Sequence, residues 1–344
     1  MFIPYPACSG SAFPAVSEHG GISVYSGEGK GDRVIDDMES VTAKLCSFAR
    51  AYHSNHEKNK IFDDYLAYDL MGKEEYDEIG QLIEHEYDRN LFDLAYTFSG
   101  KRIRDKLNRY ISPIPLSRAA FAERELARFT WQRGECQYVI CGAGMDTFAF
   151  RNDNPNIRIF EIDHPDTQRY KLEKIRALEW NIPANVRYVA VDFGKDDMAA
   201  ELKKAGYDPS APSFFAILGV TYYLTLPVFE ETLERIGAIS SFGSKLVFDF
   251  PDDTTFSPDT AERVHRLSEI TSSLGEEMQH GYALSEVSEA LERHGFLLDE
   301  HNSPERIQKR FFEGRTDGQK AYENIHFILA KKGDRFNDSY YLYI

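Results

Sequence analysis

Short apolar runs and amphipathic stretches alternate along most of this chain, and their order predicts its fold. From about residue 118 onwards, apolar runs are bounded by polar or turn-forming residues. These runs lie at residues 138–142, 158–162, 187–191, 213–218 and 244–249, with two more near 295–298 and 325–330. The segments between the first five runs are long enough for crossover helices. The pattern therefore predicts an α/β fold with a doubly wound, mostly parallel sheet of about seven strands.

The first third of the chain has a different pattern. Residues 1–35 are rich in Gly, Ser and Pro without an apolar period, which predicts a flexible arm. Apolar residues then recur at helical spacing, as in Val41, Leu45, Phe48, Ala49 and Tyr52. With further helical stretches around 65–70 and 80–98, they predict a helical cap over 36–115. A sheet domain over 116–344 should follow, with a capping insertion around 252–284.

Helices are also marked within the sheet domain, at about 118–131, 261–273 and 285–293. Another follows the fourth apolar run, where Thr225 is expected to cap the helix and Pro227 suits its first turn. Phe229, Leu233 and Ile236 should form its buried face.

The turn after the first predicted strand carries the clearest chemical signal. The run from Tyr138 to Cys141 is followed by Gly142-Ala143-Gly144, and the next predicted strand ends in Asp163. A Gly-x-Gly turn lets the backbone approach a ligand closely, and the acidic residue can accept hydrogen bonds from both ribose hydroxyls. The sequence therefore predicts a nucleotide site. The alternatives are an ordinary strand-to-helix turn and a helix near Pro165 capped by Glu161 or Asp163.

Two residues near this turn indicate which nucleotide is bound. A dinucleotide fingerprint requires a third glycine where this chain has Thr147. Asp146 lies where the phosphates of a dinucleotide would pass, and its carboxylate would repel them. A ligand without phosphates fits better, and the cationic groups of S-adenosylmethionine would favour nearby carboxylates.

Four ordered segments resemble the leucine carboxyl methyltransferase family, which includes bacterial polyketide O-methyltransferases of the tetracenomycin type. They are QYVICGAGMDTFAFR at 137–151, FEIDHPDTQRYK at 160–171, Val191-Asp192-Phe193 and LGVTYYLT at 218–225. The resemblance extends from about Val41 to Pro251. It implies the class I methyltransferase fold, whose last strand runs antiparallel, and S-adenosylmethionine as the cofactor.

The resemblance also implies roles for particular residues. Gly142, Ala143 and Gly144 would lie against the amino acid end of the cofactor, and Asp163 would bind the ribose. Asp192 and Phe193 would meet the adenine, although Phe193 could equally be a core residue. The remaining cofactor-binding candidates are Arg118, Leu218 and Gly219.

The chain departs from the family at two of these positions. Leu218 stands where family members have a glutamate beside the cofactor's ammonium group, so backbone carbonyls or another carboxylate such as Asp146 must serve instead. Bacterial relatives commonly carry two arginines before the first strand. Arg118 matches one, and could hold the cofactor's carboxylate or be an ordinary solvated helix residue, whereas Ala120 replaces the other. Arg50, in an Ala-Arg-Ala pattern shared with bacterial members, is a further candidate for the same carboxylate.

The methyl acceptor determines whether a catalytic base is needed. A carboxylate acceptor is already ionised at neutral pH, whereas a phenol or alcohol needs a base, which is usually histidine. His53, His56 and His164 are candidates, each with a structural or solvated role as the alternative. Tyr222 and Tyr223 could line the acceptor pocket or be packing aromatics.

The composition of the chain argues against several classes of binding partner. The formal net charge of −16 argues against nucleic acid and anionic membranes. The four cysteines, Cys8, Cys46, Cys136 and Cys141, show no zinc spacing, and no metal site is predicted. With no export signal or apolar span in the sequence, we expect reduced cysteines in a cytoplasmic protein.

The function predicted on these grounds is S-adenosylmethionine-dependent O-methylation of a small molecule, at a hydroxyl or a carboxylate. The acceptor would be a polyketide, aromatic or carboxylic metabolite. The alternatives are carboxyl methylation of a protein C-terminus, a non-catalytic cofactor-binding interaction protein, and a nicotinamide oxidoreductase. The sequence leaves the acceptor and the oligomeric state open.

Overall fold

The computed structural model describes residues 41–90, 101–193, 195–273 and 276–333. The predicted arm at 1–35 and the end of the predicted helix at 80–98 lie outside these residues. None of the described helices is both long enough and apolar enough to cross a membrane.

Seven strands form one sheet in the described part of the chain. They are β1 (Cys136–Cys141), β2 (Ile157–Asp163), β3 (Val186–Ala190), β4 (Ser213–Ile217), β5 (Lys245–Pro251), β6 (Phe296–Asn302) and β7 (Ile325–Lys332). Their order is β3-β2-β1-β4-β5-β7-β6, and β7 runs antiparallel to both of its neighbours. This confirms the predicted mostly parallel sheet. The chain order reverses between β1 and β4, where doubly wound folds bind ligands at the carboxyl ends of the strands.

Helices cover both faces of the sheet. Within the sheet domain they are α5 (Pro113–Arg133), α6 (Phe148–Arg151), α7 (Pro165–Ala177), α8 (Met198–Lys204), α9 (Leu226–Ile239), α10 (Glu262–Ser273), α11 (Leu284–Arg293) and α12 (Pro304–Ile307). Successive residues of β1 point to opposite faces, so Tyr138 packs in one hydrophobic cluster and Val139 in the other. Because both faces are buried, the strands read as continuous apolar runs in the sequence.

Four further helices precede this layer, with bounds α1 (Val41–His56), α2 (Ala67–Met71), α3 (Lys73–Asn90) and α4 (Lys101–Lys106). A π-helical turn, Leu107–Ile111, joins α4 to the start of α5. Phe48 of α1, Ile79 and Ile83 of α3, and Leu107 share a separate hydrophobic cluster. These helices therefore have a small core of their own and place α1 above the carboxyl edge of the sheet.

Two local expectations were wrong at helix starts. Helix α5 begins at Pro113 rather than near residue 118, because prolines are tolerated in a first turn, where the missing N–H has no helical partner. Thr225 does lie at the N-cap position of α9, yet its side chain makes no capping hydrogen bond. Phe229, Leu233 and Ile236 form the buried face of α9 as predicted.

Candidate functional site

A cavity opens at the carboxyl ends of β1, β2 and β4, beneath α1. Its wall brings together the Gly-x-Gly turn, Asp163, and Leu218 and Gly219 after β4. Arg118 of α5 closes one side, and Thr42, Cys46 and Arg50 of α1 lie on the opposite wall. Segments that are far apart in the sequence thus meet at one site, which we call the cofactor cavity.

The Gly-x-Gly turn forms the floor of the cofactor cavity. Gly142 and Gly144 have φ angles of 75° and 48°, which side chains other than glycine rarely adopt. The amides of Gly142 and Ala143 both donate to the carbonyl of Ile162, at 2.8 and 3.1 Å, which ties the turn to the end of β2. A side chain at Gly144 would point towards Ala43 of α1, into the space between the turn and the cap.

Asp163 is 3% exposed and lies at the end of β2 on the cavity wall. Its Oδ2 accepts the amide of Gly144 at 2.5 Å, and its Oδ1 accepts the amide of His164 at 2.7 Å. Burial raises the pKa of this carboxyl, and the two amide hydrogen bonds oppose the rise. Each oxygen can accept further hydrogen bonds, so the fixed carboxylate is compatible with the predicted binding of two ribose hydroxyls, which stays a prediction.

The alternative role for Glu161 and Asp163, capping the following helix, is wrong. His164 is the N-cap of α7, and its Nδ1 accepts the amide of Asp166. Glu161 is buried and pairs with Lys171 of α7, with Oε2 2.5 Å from Nζ. Burial raises the pKa of Glu161 to about 7, against the opposing effect of Lys171. These contacts give His164 and Glu161 structural roles at the end of β2.

Arg118 is held at the wall of the cofactor cavity by contacts that the sequence did not predict. Its Nη1 lies 3.2 Å from Oδ2 of Asp249, a fully buried residue of β5, and Nη2 lies 3.8 Å from Sγ of Cys46. Burial opposes the charge of Arg118, yet the nearby Asp249 carboxylate raises its pKa overall. The alternative of a solvated helix arginine is therefore wrong. Asp249 could have been identified in the sequence as a candidate partner for a buried charge, because it is the one acidic residue within the apolar run of β5.

A second polar cluster connects α1 to the Gly-x-Gly turn. Arg50 donates from Nε to Asp64 at 2.9 Å and from Nη2 to the carbonyl of Met145 at 2.8 Å. The hydroxyl of Thr147 also donates to Asp64, and Arg151 lies 3.3 Å from the same carboxylate. Threonine at the position where a dinucleotide fingerprint has glycine therefore ties the turn to the helical cap.

Asp146 also lines the cofactor cavity, and its Oδ1 accepts the amide of Phe148 at 2.6 Å. Leu218 lies on the wall of the same cavity, and its apolar side chain cannot supply the charge of the family's glutamate. Asp146 thus remains the predicted partner for the cofactor's ammonium group.

Asp192 and Phe193 follow β3, next to the strand that carries Asp163. Asp192 is largely buried and its Oδ2 lies 2.6 Å from Nζ of Lys195. Phe193 packs against the hydrophobic cluster on one face of the sheet. Neither residue is part of the cavity wall as described. Contact with the adenine stays a prediction for both, and the packing favours the core alternative for Phe193.

A second cavity adjoins the first, between α1, α5 and α10. Thr42, Cys46, Pro115, Arg118, Gly219 and Tyr223 belong to the walls of both. The rest of its wall is mostly apolar and includes Leu45, Ile111, Ile114, Leu267, Ile270 and Met278. We call it the acceptor cavity.

Tyr222 and Tyr223 both lie on the wall of this second cavity, and their contact with an acceptor stays a prediction. The Tyr222 hydroxyl donates to Oδ2 of Asp249 at 2.7 Å, and burial raises the pKa of Tyr222 far above its ordinary value. Burial likewise raises the pKa of Tyr223. Both hydroxyls are therefore protonated at neutral pH, so neither tyrosine is suited to act as a base.

His53 is not suited to act as the base either. It is 1% exposed and lies outside both cavity walls. Its Nε2 accepts the amide of Ile61 at 2.9 Å, and Nδ1 faces the Gln319 side chain. Burial, reinforced by Arg315, lowers the pKa of His53 to about 4. His56 is solvent-exposed, and the centre of its ring lies 4.4 Å from that of Tyr52, with the two planes tilted by 40°.

The low pKa of His53 predicts a loss of stability in mild acid. As the pH falls below about 6.5, the unfolded chain binds a proton at His53 before the folded protein does, and the folded state loses stability until about pH 4. Between pH 7 and pH 5 the loss should be about 2 kcal/mol. Urea unfolding of the protein and of His53→Gln at both pH values measures it. An equal pH dependence in the two proteins would contradict the assignment.

The polar side chains around the cofactor cavity are of the types that S-adenosylmethionine would need. The buried Asp163 carboxylate suits ribose hydroxyls, Asp146 suits a cation, and Arg118 suits a carboxylate. Thr42 and Tyr223 both lie on the wall shared with the acceptor cavity. Within those residues no group of three or more His, Cys, Asp or Glu is placed to hold a metal ion. Fold and site together define a class I S-adenosylmethionine-dependent methyltransferase.

The family follows from comparison with known proteins. The model of the family described as leucine carboxyl methyltransferase matches residues 43–237. The chain belongs to this family, in agreement with the resemblance of the four segments, and the protein is an enzyme that uses S-adenosylmethionine. The alternatives of a nicotinamide oxidoreductase and of a non-catalytic protein are thereby set aside.

Individual relatives agree with this assignment. The chain is 35% identical over 302 residues to the "Putative S-adenosyl-L-methionine-dependent methyltransferase YktD" of Bacillus subtilis (strain 168), covering 85% of this chain and 98% of the relative. It is 33% identical over 206 residues to a protein of the same printed description from Mycobacterium marinum, covering 58% of this chain and 68% of the relative. A crystal structure of a DUF574 family protein from Streptomyces avermitilis shares the fold, with a TM-score of 0.53 and 15% identity over 87% of this chain and 99% of that one.

Proposed function

We propose that this methyltransferase transfers the methyl group to an oxygen, a hydroxyl or a carboxylate, of a small and largely apolar molecule. The observation that carries this proposal is the apolar acceptor cavity, which shares six wall residues with the cofactor cavity. An acceptor held there would lie next to the cofactor. The two reactants would then be aligned within one enclosed site, which is a large part of what methyl transfer requires.

The walls define what kind of acceptor fits. Side chains from α1, α5 and α10 supply the apolar surface, and such surface favours an aromatic or aliphatic body over a charged one. Polar groups are concentrated at the junction of the two cavities, at Thr42, Cys46, Arg118 and Tyr223. The reacting oxygen of the acceptor should therefore face this junction, with the rest of the molecule in the apolar part.

The cofactor, when bound, supplies a methyl group that its sulfonium already activates. The chain's own residues would bind the cofactor and the acceptor and orient them for the transfer. Asp163 holds the ribose hydroxyls, Arg118 holds a carboxylate, and the apolar wall excludes water from the acceptor. The protonated hydroxyl of Tyr223 can donate a hydrogen bond to the acceptor oxygen.

Incubation with S-adenosylmethionine carrying a radioactive methyl group tests the proposal directly. The purified enzyme is given fractions of a small-molecule extract and, separately, a protein fraction. Label in a small molecule supports the proposal, and label that appears only in protein supports the alternative of C-terminal carboxyl methylation. Alkaline hydrolysis then separates the two kinds of small-molecule product, since it releases labelled methanol from a methyl ester and leaves a methyl ether intact.

A tryptophan in the acceptor cavity should separate methyl transfer from cofactor binding. Leu267 of α10 lines the acceptor cavity and is absent from the wall of the cofactor cavity. Leu267→Trp is expected to reduce methyl transfer by at least about 10-fold because the added rings fill the space for the acceptor, while S-adenosylhomocysteine affinity stays within about twofold. Leu297→Trp, at a side chain that is 57% exposed on β6, is the matched control. Unchanged transfer by Leu267→Trp would contradict the placement of the acceptor.

A further inference from the structure

Asp249 is a carboxylate within an otherwise apolar strand. Its neighbours Leu246, Val247, Phe248 and Phe250 are all buried, and Asp249 itself has no exposed surface. A carboxylate in such surroundings is strongly destabilising unless hydrogen bonds and an opposite charge compensate it. Its partners therefore indicate why an acidic residue stands at this position.

Three donors from two segments, α5 and the loop after β4, converge on this carboxylate. Its Oδ1 accepts the amide of Gly219 at 2.7 Å, and its Oδ2 accepts the Tyr222 hydroxyl at 2.7 Å and lies 3.2 Å from Nη1 of Arg118. The backbone carbonyl of Asp249 also accepts the hydroxyl of Thr221. The strand thus fixes both the start of α5 and the loop after β4.

All three donors to the carboxylate belong to the cavity walls. Arg118 and Gly219 are shared by the two cavities, and Tyr222 lines the acceptor cavity. Asp249 itself is part of neither wall. It can therefore act on a ligand only through the groups that it holds.

We propose that Asp249 is a positioning residue for cofactor binding, which acts by fixing the guanidinium of Arg118 at the junction of the two cavities. This inference rests on the proposed site, because it takes Arg118 as the residue that meets the cofactor's carboxylate. One edge of the guanidinium is anchored through Nη1, and Nη2 lies 3.8 Å from Sγ of Cys46, a residue that lines both cavities. A planar fork that is fixed before the ligand arrives loses less rotational freedom when it binds a carboxylate.

A double-mutant cycle on S-adenosylhomocysteine affinity, measured by calorimetry, tests the inference. Asp249→Asn keeps the shape but places an N–H donor against Gly219 or Arg118, so it should weaken binding by about 10-fold. In an Arg118→Gln background the same substitution should change affinity by less than about threefold, because the group that it positions is already gone. Effects of the two substitutions that simply multiply would overturn the inference.

The controls separate the possible failures. Glu125→Gln removes another buried carboxylate that pairs with arginines, Arg124, Arg128 and Arg310, outside both cavities. It should lower the thermal midpoint without changing affinity for S-adenosylhomocysteine.

The single variants separate failure of the proposed site from failure of the inference. If Arg118→Gln binds S-adenosylhomocysteine normally, the assignment of Arg118 to the cofactor fails. If Arg118→Gln binds weakly while Asp249→Asn binds normally, only the positioning role of Asp249 fails. Should Asp249→Asn not fold, Asp249→Glu moves the carboxylate by one methylene and should weaken binding, and normal affinity there would overturn the inference.

Discussion

Replacing Asp163 by alanine is expected to weaken S-adenosylhomocysteine binding by roughly 100- to 1,000-fold. Two charge-assisted hydrogen bonds to the ribose would be lost, each contributing about 1.5–2 kcal/mol. The substitution also removes the acceptor for the Gly144 and His164 amides, which loosens the turn beneath the ligand. Calorimetric titration of the purified protein with S-adenosylhomocysteine measures the loss, with NAD as a ligand that should not bind.

The matched control is another aspartate that accepts two backbone amides. Asp197 is exposed and caps α8 through the amides of Ala199 and Ala200. Asp197→Ala should cost about 1 kcal/mol in the free energy of unfolding and leave affinity unchanged. If Asp163→Ala bound as tightly as the unchanged protein, the ribose position at the end of β2 would be wrong.

Gly219→Ala is expected to disrupt the junction of the two cavities. A Cβ at this position would lie 2.6 Å from Cζ of Arg118, and the φ of 71° is one that side chains rarely adopt. The guanidinium must move away from Asp249, and Gly219 loses the backbone geometry that directs its amide to the same carboxylate. We expect affinity for S-adenosylhomocysteine to fall by at least about 30-fold, together with about 2 kcal/mol of stability.

Gly314→Ala isolates the backbone contribution to this effect. Gly314 has a φ of 74° and nothing within 4 Å of an added Cβ, so its substitution introduces the same strain without a collision. It should cost about 1 kcal/mol of stability and leave affinity unchanged. Equal behaviour of the two alanine variants, in thermal unfolding and in calorimetry, would show that contact with Arg118 is not what makes glycine necessary at position 219.

The two arginines of the site, Arg118 and Arg50, are held by different parts of the fold. Arg118 is held by β5 through Asp249, whereas Arg50 is held by Asp64 and by the Met145 carbonyl of the Gly-x-Gly turn. The helical cap therefore contacts the cofactor turn through the hydrogen bond from Arg50 to Met145 and the buried ion pair between Asp64 and Arg151 of α6, and breaking such a pair is strongly destabilising.

The sheet could be predicted from the sequence because its signals are local. A strand buried on both faces is mostly apolar, so the central strands appear as apolar runs, and the seven predicted runs matched the seven strands within a few residues. Helix starts were predicted less well, because several residues compete for each cap. His164 caps α7 in place of Asp163, whose carboxylate is occupied by the Gly144 amide.

By itself, the sequence determined the sheet, the Gly-x-Gly turn and the acidic residue that follows it, because strand periodicity and turn geometry depend on neighbouring residues. Only the tertiary structure decided which charges meet. Asp249 lies 131 residues from Arg118, and Asp64 lies 83 residues from Thr147. Such contacts depend on how helices pack over strand ends, which no local pattern encodes. The same packing removed His53, Tyr222 and Tyr223 as bases, because burial shifts the pKa of each group away from the value that a base requires.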